Sequence, residues 1–259
     1  IGVGDFRNPQ DLFFAPDNTL YIVDTRNNRI IRTTSDFVVI EVYQEFEHDG
    51  IVDTFNNPQG IFVTDDGHMF VADTNNGRIV RFDENGSYIM SIQEPEKDNP
   101  DAFPEYFQFR PKKIAVDKVN RLYVIASGLY EGLLELDIEG NFRSFIGAPR
   151  VSPTAWEYFW SRIATDEQRQ MMTLFIPTEC SNMDLDDRGF IYTTVSGGEI
   201  NIEQVIRKLN PAGVDVLKRN GVHPPMGDIN VGDDLLAISE ITGSSLLVDI
   251  VYRDNSTYS

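Results

Sequence analysis

The sequence predicts an all-β protein, a β-propeller assembled from blade-sized repeats. Three observations carry this: a long segment recurs without a gap, apolar residues alternate within short runs, and turn residues punctuate those runs. Residues Phe6 to Arg32 (FRNPQDLFFAPDNTLYIVDTRNNRIIR) align with Phe55 to Arg81 (FNNPQGIFVTDDGHMFVADTNNGRIVR), 49 positions later, with 12 of 27 pairs identical. Chance supplies roughly two such matches at ordinary residue usage. A fixed period of this length marks a repeat architecture.

Each copy reads as strands, because Leu12, Phe14, Leu20, Ile22 and Ile30 fall on alternating positions and Pro16-Asp17-Asn18 separates the runs. In the second copy Asp66-Gly67 joins Ile61–Val63 to Met69–Val71, and Asn76-Gly77 joins that strand to Ile79–Phe82. Both pairs are hairpin signals, because a primed turn needs positive φ at its centre and Asn, Asp and Gly tolerate it best. Asn85-Gly86 turns into Ser87–Ile92, completing a four-stranded meander, the unit of a propeller blade.

A third copy runs from Phe109-Arg110-Pro111 through Ile114–Val116 and Arg121–Val124 to Leu133–Asp137 and the turn Ile138-Glu139-Gly140. A fourth has Met183–Gly189, Phe190–Thr193 and Val205–Gly213. Both keep the apolar frame and lose the polar signature. Leu246–Val251 looks like the opening strand of a fifth copy that stops before it can finish. The expected architecture is therefore one incomplete propeller domain over residues 1–259, with about four and a half blades of a probable six.

The pattern Pro-x-x-apolar, Asp-Gly, Tyr/Phe-Val-x-Asp-Thr-x-Asn-x-Arg-Ile resembles the NHL repeat, most specifically in the first two copies. This resemblance implies an NHL-type closed propeller, commonly of six blades. The order of blades and insertion is similar to the propeller region of envelope-associated NHL proteins of Gram-positive gut bacteria. An extracytoplasmic location, secreted or on the cell surface, follows from that resemblance alone.

The polar signature consists of Asp24, Thr25, Asn27 and Arg29 in the first copy and Asp73, Thr74, Asn76 and Arg78 in the second. The structural reading has the aspartate accept backbone N–H groups of the turn and pair with the arginine, locking the hairpin. The functional reading places these charges around the central channel. Residues repeated in successive units serve the unit first.

Between the third and fourth copies the alternation breaks. Residues 152–175 read as a two-helix insertion: Ser152-Pro153 starts one helix and Thr165–Gln168 forms a capping box for the next. Trp156, Phe159, Trp160 and Ile163 share one helical face, with Tyr158 beside them. Either this stripe packs onto the propeller, or it roofs one face of the disc as a docking surface. Trp156, Tyr158, Phe159 and Trp160 are thus the candidate residues for binding a ligand or partner.

Charge narrows the partners. With 22 Lys+Arg against 41 Asp+Glu the net charge is −19, which repels phosphate backbones and opposes nucleic acid. No stretch approaches the roughly 20 apolar residues of a membrane-spanning helix, so no membrane contact is expected of this segment itself. Cys180 is the single cysteine, leaving no internal disulfide and no thiolate cage. His48, His68 and His223 are scattered among the copies, with no ligand spacing. The acidic clusters Asp65-Asp66-Gly67 and Asp184–Asp187 lack the spacing of an EF-hand and fall at strand turns.

No cofactor and no catalytic residue are assigned. A calcium ion in the channel stays compatible with the sequence, since carbonyls and carboxylates converge there without a motif. The reading that results is a non-enzymatic scaffold recognising a protein, peptide or glycan; the alternative is a metal-dependent hydrolase or lyase with its site in the channel. The incomplete ring also predicts edge-to-edge association.

Overall fold

The computed structural model describes residues 2–95, 102–103, 107–129, 132–147, 179–196 and 206–217. These residues form a propeller arrangement of four successive antiparallel sheets. The first blade is β1 (Asp11–Phe14), β2 (Thr19–Asp24), β3 (Arg29–Thr34) and β4 (Val39–Tyr43). A two-stranded hairpin, β5 (Glu45–His48) and β6 (Ile51–Thr54), follows it. The second blade is β7 (Gly60–Val63), β8 (Met69–Asp73), β9 (Arg78–Phe82) and β10 (Tyr88–Gln93). The third is β11 (Pro111–Val116), β12 (Leu122–Ala126), β13 (Leu133–Leu136) and β14 (Phe142–Ile146), and the fourth has β15 (Glu179–Leu185), β16 (Ile191–Ser196) and β17 (Ile206–Leu209). Strands neighbour one another in chain order within every blade, as a meander requires. The two-helix insertion and Leu246–Val251 lie outside the described residues.

Period-two alternation sends successive side chains to opposite faces of each blade. Ile61, Val63, Val71 and Val80 of the second blade meet Val23 and Ile30 of the first, while Phe70, Ala72, Ile79 and Ile92 meet Ile114, Val116 and Val124 of the third. Ala115, Tyr123 and Leu133 repeat the arrangement against Met183, Ile191 and Leu209 of the fourth. Each fully buried Val, Ile or Leu stabilises the stack by roughly 1.5–3 kcal/mol. The first blade differs on its far face. Leu12 and Phe14 are 62% and 58% exposed, where their counterparts Ile61 and Val63 are 2% and 4% exposed.

The hairpin connections correct the sequence reading. Asp66-Gly67 and Asn76-Gly77 join the expected strands but do not form primed turns. The connection from β7 to β8 spans Thr64 to His68, closed by Thr64 N–H to His68 O (2.9 Å) and Gly67 N–H to Thr64 O (2.9 Å). Asp83–Ser87, Asp117–Arg121 and Asp186–Phe190 close in the same way. The fourth residue takes the left-handed conformation, as at Gly86 (φ 78°) and Asn120 (φ 62°). In the latter three turns the leading aspartate's Oδ1 accepts N–H bonds from two residues of its own turn, which favours the longer loop over the primed one. Asn76-Gly77 belongs instead to a single 3₁₀ turn, Thr74–Asn76, ended by Gly77 at φ 64°. A two-residue connection occurs at Asp49-Gly50, where His48 pairs with Ile51 and both turn residues have positive φ.

Candidate binding cleft and its polar framework

The repeated polar residues sit where β2 passes into β3 and β8 into β9. Asp24 faces Arg29 in register, and Asp73 faces Arg78. Oδ2 of Asp24 accepts Arg29 Nε–H at 2.7 Å and Asn27 Nδ2–H at 2.7 Å, while Oδ1 accepts the backbone N–H of Arg7 at 2.7 Å. Asp73 repeats this with Arg78 Nε (2.8 Å), Asn76 Nδ2 (2.8 Å) and Asn56 N (2.7 Å). The backbone donor therefore comes from the linker entering the blade, and not from the turn itself. Each aspartate ties the hairpin to the chain 17 residues upstream. Both aspartate side chains are fully buried.

Thr74 reaches the next blade, donating to Pro111 O at 2.7 Å. Arg78 also pairs with Asp53 and donates to Thr54 O, drawing the β5–β6 hairpin against the second blade. That guanidinium hydrogen bond holds the Asp53 carboxyl below its ordinary range. In the hairpin Phe46 stacks on Tyr88 with centroids 5.5 Å apart, and His48 meets the same ring edge-on at 4.4 Å.

Register also aligns the innermost strands. Phe14, Val63, Val116 and Leu185 pair with Leu20, Met69, Leu122 and Ile191, which hold equivalent places on the second strand of each blade. Counting back three residues brings Asp11, Gly60, Lys113 and Asn182 to one equivalent level. Sequence reading singled out none of these four, although the repeat alignment already set Asp11 against Gly60.

At the end of the disc bearing the turns from first to second strand, the second, third and fourth blades enclose a cleft of about 630 Å³. Phe62, Val63, Val116 and Leu185 give it apolar walls, and Asp65, Lys118, Asn120, Asp187 and Arg188 give it a polar rim. Most of its carboxylates are already engaged. Asp66 accepts from the Thr64 hydroxyl, which holds its carboxyl below the ordinary range. Asp117 accepts from Arg121 Nε (2.7 Å) and Tyr123 OH (3.1 Å) as well as from its own turn. Asp186 accepts from Arg188 N, Phe190 N and Tyr192 OH, and Asp187 pairs with Lys118 at 2.8 Å. Among the described residues no three His, Cys, Asp or Glu side chains converge in a geometry that could hold a metal ion. Trp156, Tyr158, Phe159 and Trp160 lie outside the described residues.

Residues 9–103 match the family described as the SMP-30/gluconolactonase/LRE-like region. No curated protein matches the chain. Among solved structures it is similar to a catalytically inactive virginiamycin B lyase from Staphylococcus aureus, determined with quinupristin (TM-score 0.51, 13% identity, 82% of this chain and 56% of that one). It is also similar to Kuenenia stuttgartiensis hydrazine synthase (TM-score 0.51, 13% identity, 83% of this chain and 51% of that one). The chain thus spans about half the length of the structures it matches. At such identity the likeness shows the fold alone: this chain is a β-propeller.

Proposed function

We propose that this chain is a binding propeller of the bacterial cell envelope or exterior, of the NHL-repeat type, which recognises a protein, peptide or glycan. The observation that carries this reading is the cleft spanning three blades. Its walls include apolar side chains, and Asp66, Asp117, Asp186 and Asp187 are held by turn and cation partners instead of standing free for proton transfer. A concave site that sets a few apolar side chains among many charged and polar groups on rigid turns suits recognition of a polar ligand. Trp156, Tyr158, Phe159 and Trp160 are the further candidates for recognition that the sequence supplies.

The extracytoplasmic setting rests on the signature Asp-Thr-x-Asn-x-Arg and its resemblance to envelope-associated proteins. Among the described residues no helix is long and apolar enough to cross a membrane. The test is a peptide and glycan array probed with the intact chain, followed by titration of each hit against Lys118→Glu and Arg188→Glu. A hit whose affinity falls at least tenfold in either variant supports the cleft. Hits indifferent to both variants place recognition elsewhere, and an array without hits overturns the reading.

A second reading, a hydrolase or lyase with a metal site in the channel, draws support from the match of residues 9–103 to a family whose description includes gluconolactonase. Lactone hydrolysis that depends on added divalent metal would favour it over the binding reading.

A further inference from the structure

Repeat proteins are held together by nearest-neighbour interfaces, each unit touching the one before and the one after. The described blades follow this rule in their apolar packing, yet one polar contact breaks it. Lys113, on the innermost strand of the third blade, forms an ion pair with Asp11 on the innermost strand of the first. Its Nζ also donates to Gln10 O at 3.1 Å. The other carboxylate oxygen of Asp11 accepts the backbone N–H of Ile61 at 2.9 Å, on the blade between them.

Three features make this arrangement specific. First, the innermost strand of a blade is a sheet edge with unpaired N–H and C=O groups; Asp11 satisfies the N–H of Ile61, and Lys113 the carbonyl of Gln10. Second, the intervening blade carries Gly60 at the level of Asp11 and Lys113. A Cβ there would collide with Lys112 O, so this glycine permits the close approach of β7 and β11 and leaves the path past β7 unobstructed. Third, both side chains are largely shielded, with exposures of 14% for Lys113 and 15% for Asp11. Burial raises the Asp11 carboxyl above its ordinary range despite its cationic neighbour.

We infer that Asp11 and Lys113 form a strap across the second blade that joins the first and third blades into one cooperative unit. The strap goes beyond ligand recognition: it makes three blades open together where nearest-neighbour packing alone would let the first blade open by itself.

The experiment is native-state amide exchange on the intact chain, comparing wild type, Lys113→Met, Asp11→Asn/Lys113→Met and Lys113→Arg. In wild type the slowest amides of β2–β3 and of β12–β13 should share one exchange limit. Lys113→Met strands a buried carboxylate and should speed exchange of the first-blade amides at least about 30-fold, with the slowest amides of β16 changing less than threefold. The double variant, whose asparagine still accepts from Ile61, should recover to within about fivefold of wild type. Lys113→Arg retains the charge and should stay close to wild type, which separates loss of the strap from loss of the fold if Lys113→Met fails to fold. The inference is overturned if first-blade amides in Lys113→Met exchange as in wild type, if only amides next to residue 113 respond, or if the double variant or Lys113→Arg behaves as badly as Lys113→Met.

Discussion

Replacing Asp73 by alanine removes three hydrogen bonds from a fully buried carboxylate, and their fates differ. Arg78 keeps Asp53 and Thr54 O, so its charge remains paired. Asn76 keeps Thr54 O at 3.2 Å. The backbone N–H of Asn56 has no such second acceptor. Asn56 is an exposed residue whose amide passes from the carboxylate to solvent, so the loss is that of hydrogen bonds to a charged acceptor, about 1.5–3 kcal/mol each before compensation. With partial compensation at Arg78, the expected loss is about 3 kcal/mol, a fall in Tm of about 6–12 °C for a domain of this size. Thermal unfolding checks the total, and amide exchange at Asn56 checks its origin. Asp24→Ala should likewise free the amide of Arg7 and cost at least as much, because Arg29 keeps only the carbonyls of Val3 and Asp5 and no second carboxylate. A loss below about 1 kcal/mol at both sites, or unchanged exchange at Asn56 and Arg7, would refute the assignment of these aspartates as linker clamps.

Other outcomes follow from the same geometry. Trp156→Ala/Trp160→Ala should weaken binding of an array-identified ligand about 30-fold or more, the scale of hot-spot aromatics; unchanged affinity in a folded variant removes the insertion from the interface. The Asp53 carboxyl is depressed in the fold by Arg78, so its contribution is present at neutral pH and lost as pH falls through its folded pKa, below the usual carboxylate range. The stability gap between wild type and Asp53→Asn, followed by denaturation across the acid range, should therefore close on acidification, and a gap that widens refutes the pairing. Exposed Leu12 and Phe14 should drive self-association. Sedimentation should show oligomers that Leu12→Gln/Phe14→Thr disperses, whereas a monodisperse wild-type monomer counts against it.

The blades were legible because alternation and repetition act locally. Ile61, Val63, Val71 and Val80 alternate in the sequence and are all buried against one neighbouring blade. Turn type was less legible. Asp-Gly and Asn-Gly state that positive φ is tolerated, but loop length depends on what the preceding side chain bonds. At Asp83 and Asp117 the carboxylate caps its own turn, and at Asp73 it reaches an arginine five residues on. The pair that does form a two-residue turn, Asp49-Gly50, lies between repeats, where no periodicity draws attention to it. The second hairpin strand places Asp53 on Arg78, a contact that needs the folded linker to exist.

The cleft and the strap share a different reason for escaping notice. Cleft residues come from turns whose sequences differ, TDDGH, DKVNR and DDRGF, and only blade-on-blade stacking brings them to one rim. Asp11, Gly60 and Lys113 fall in one column of the repeat, yet the column looks degenerate, since a carboxylate, a hydrogen and an ammonium share no chemistry. Repetition directs attention to columns that agree, and those report what each blade needs for itself: Asp24 and Asp73 clamp their own linkers. A contact that skips a blade requires columns that disagree, because an ion pair needs opposite charges and the strand between them needs room. In a propeller, long-range coupling is therefore written where the repeat is broken in a complementary way, and opposite charges two copies apart flanking a glycine are its sequence mark.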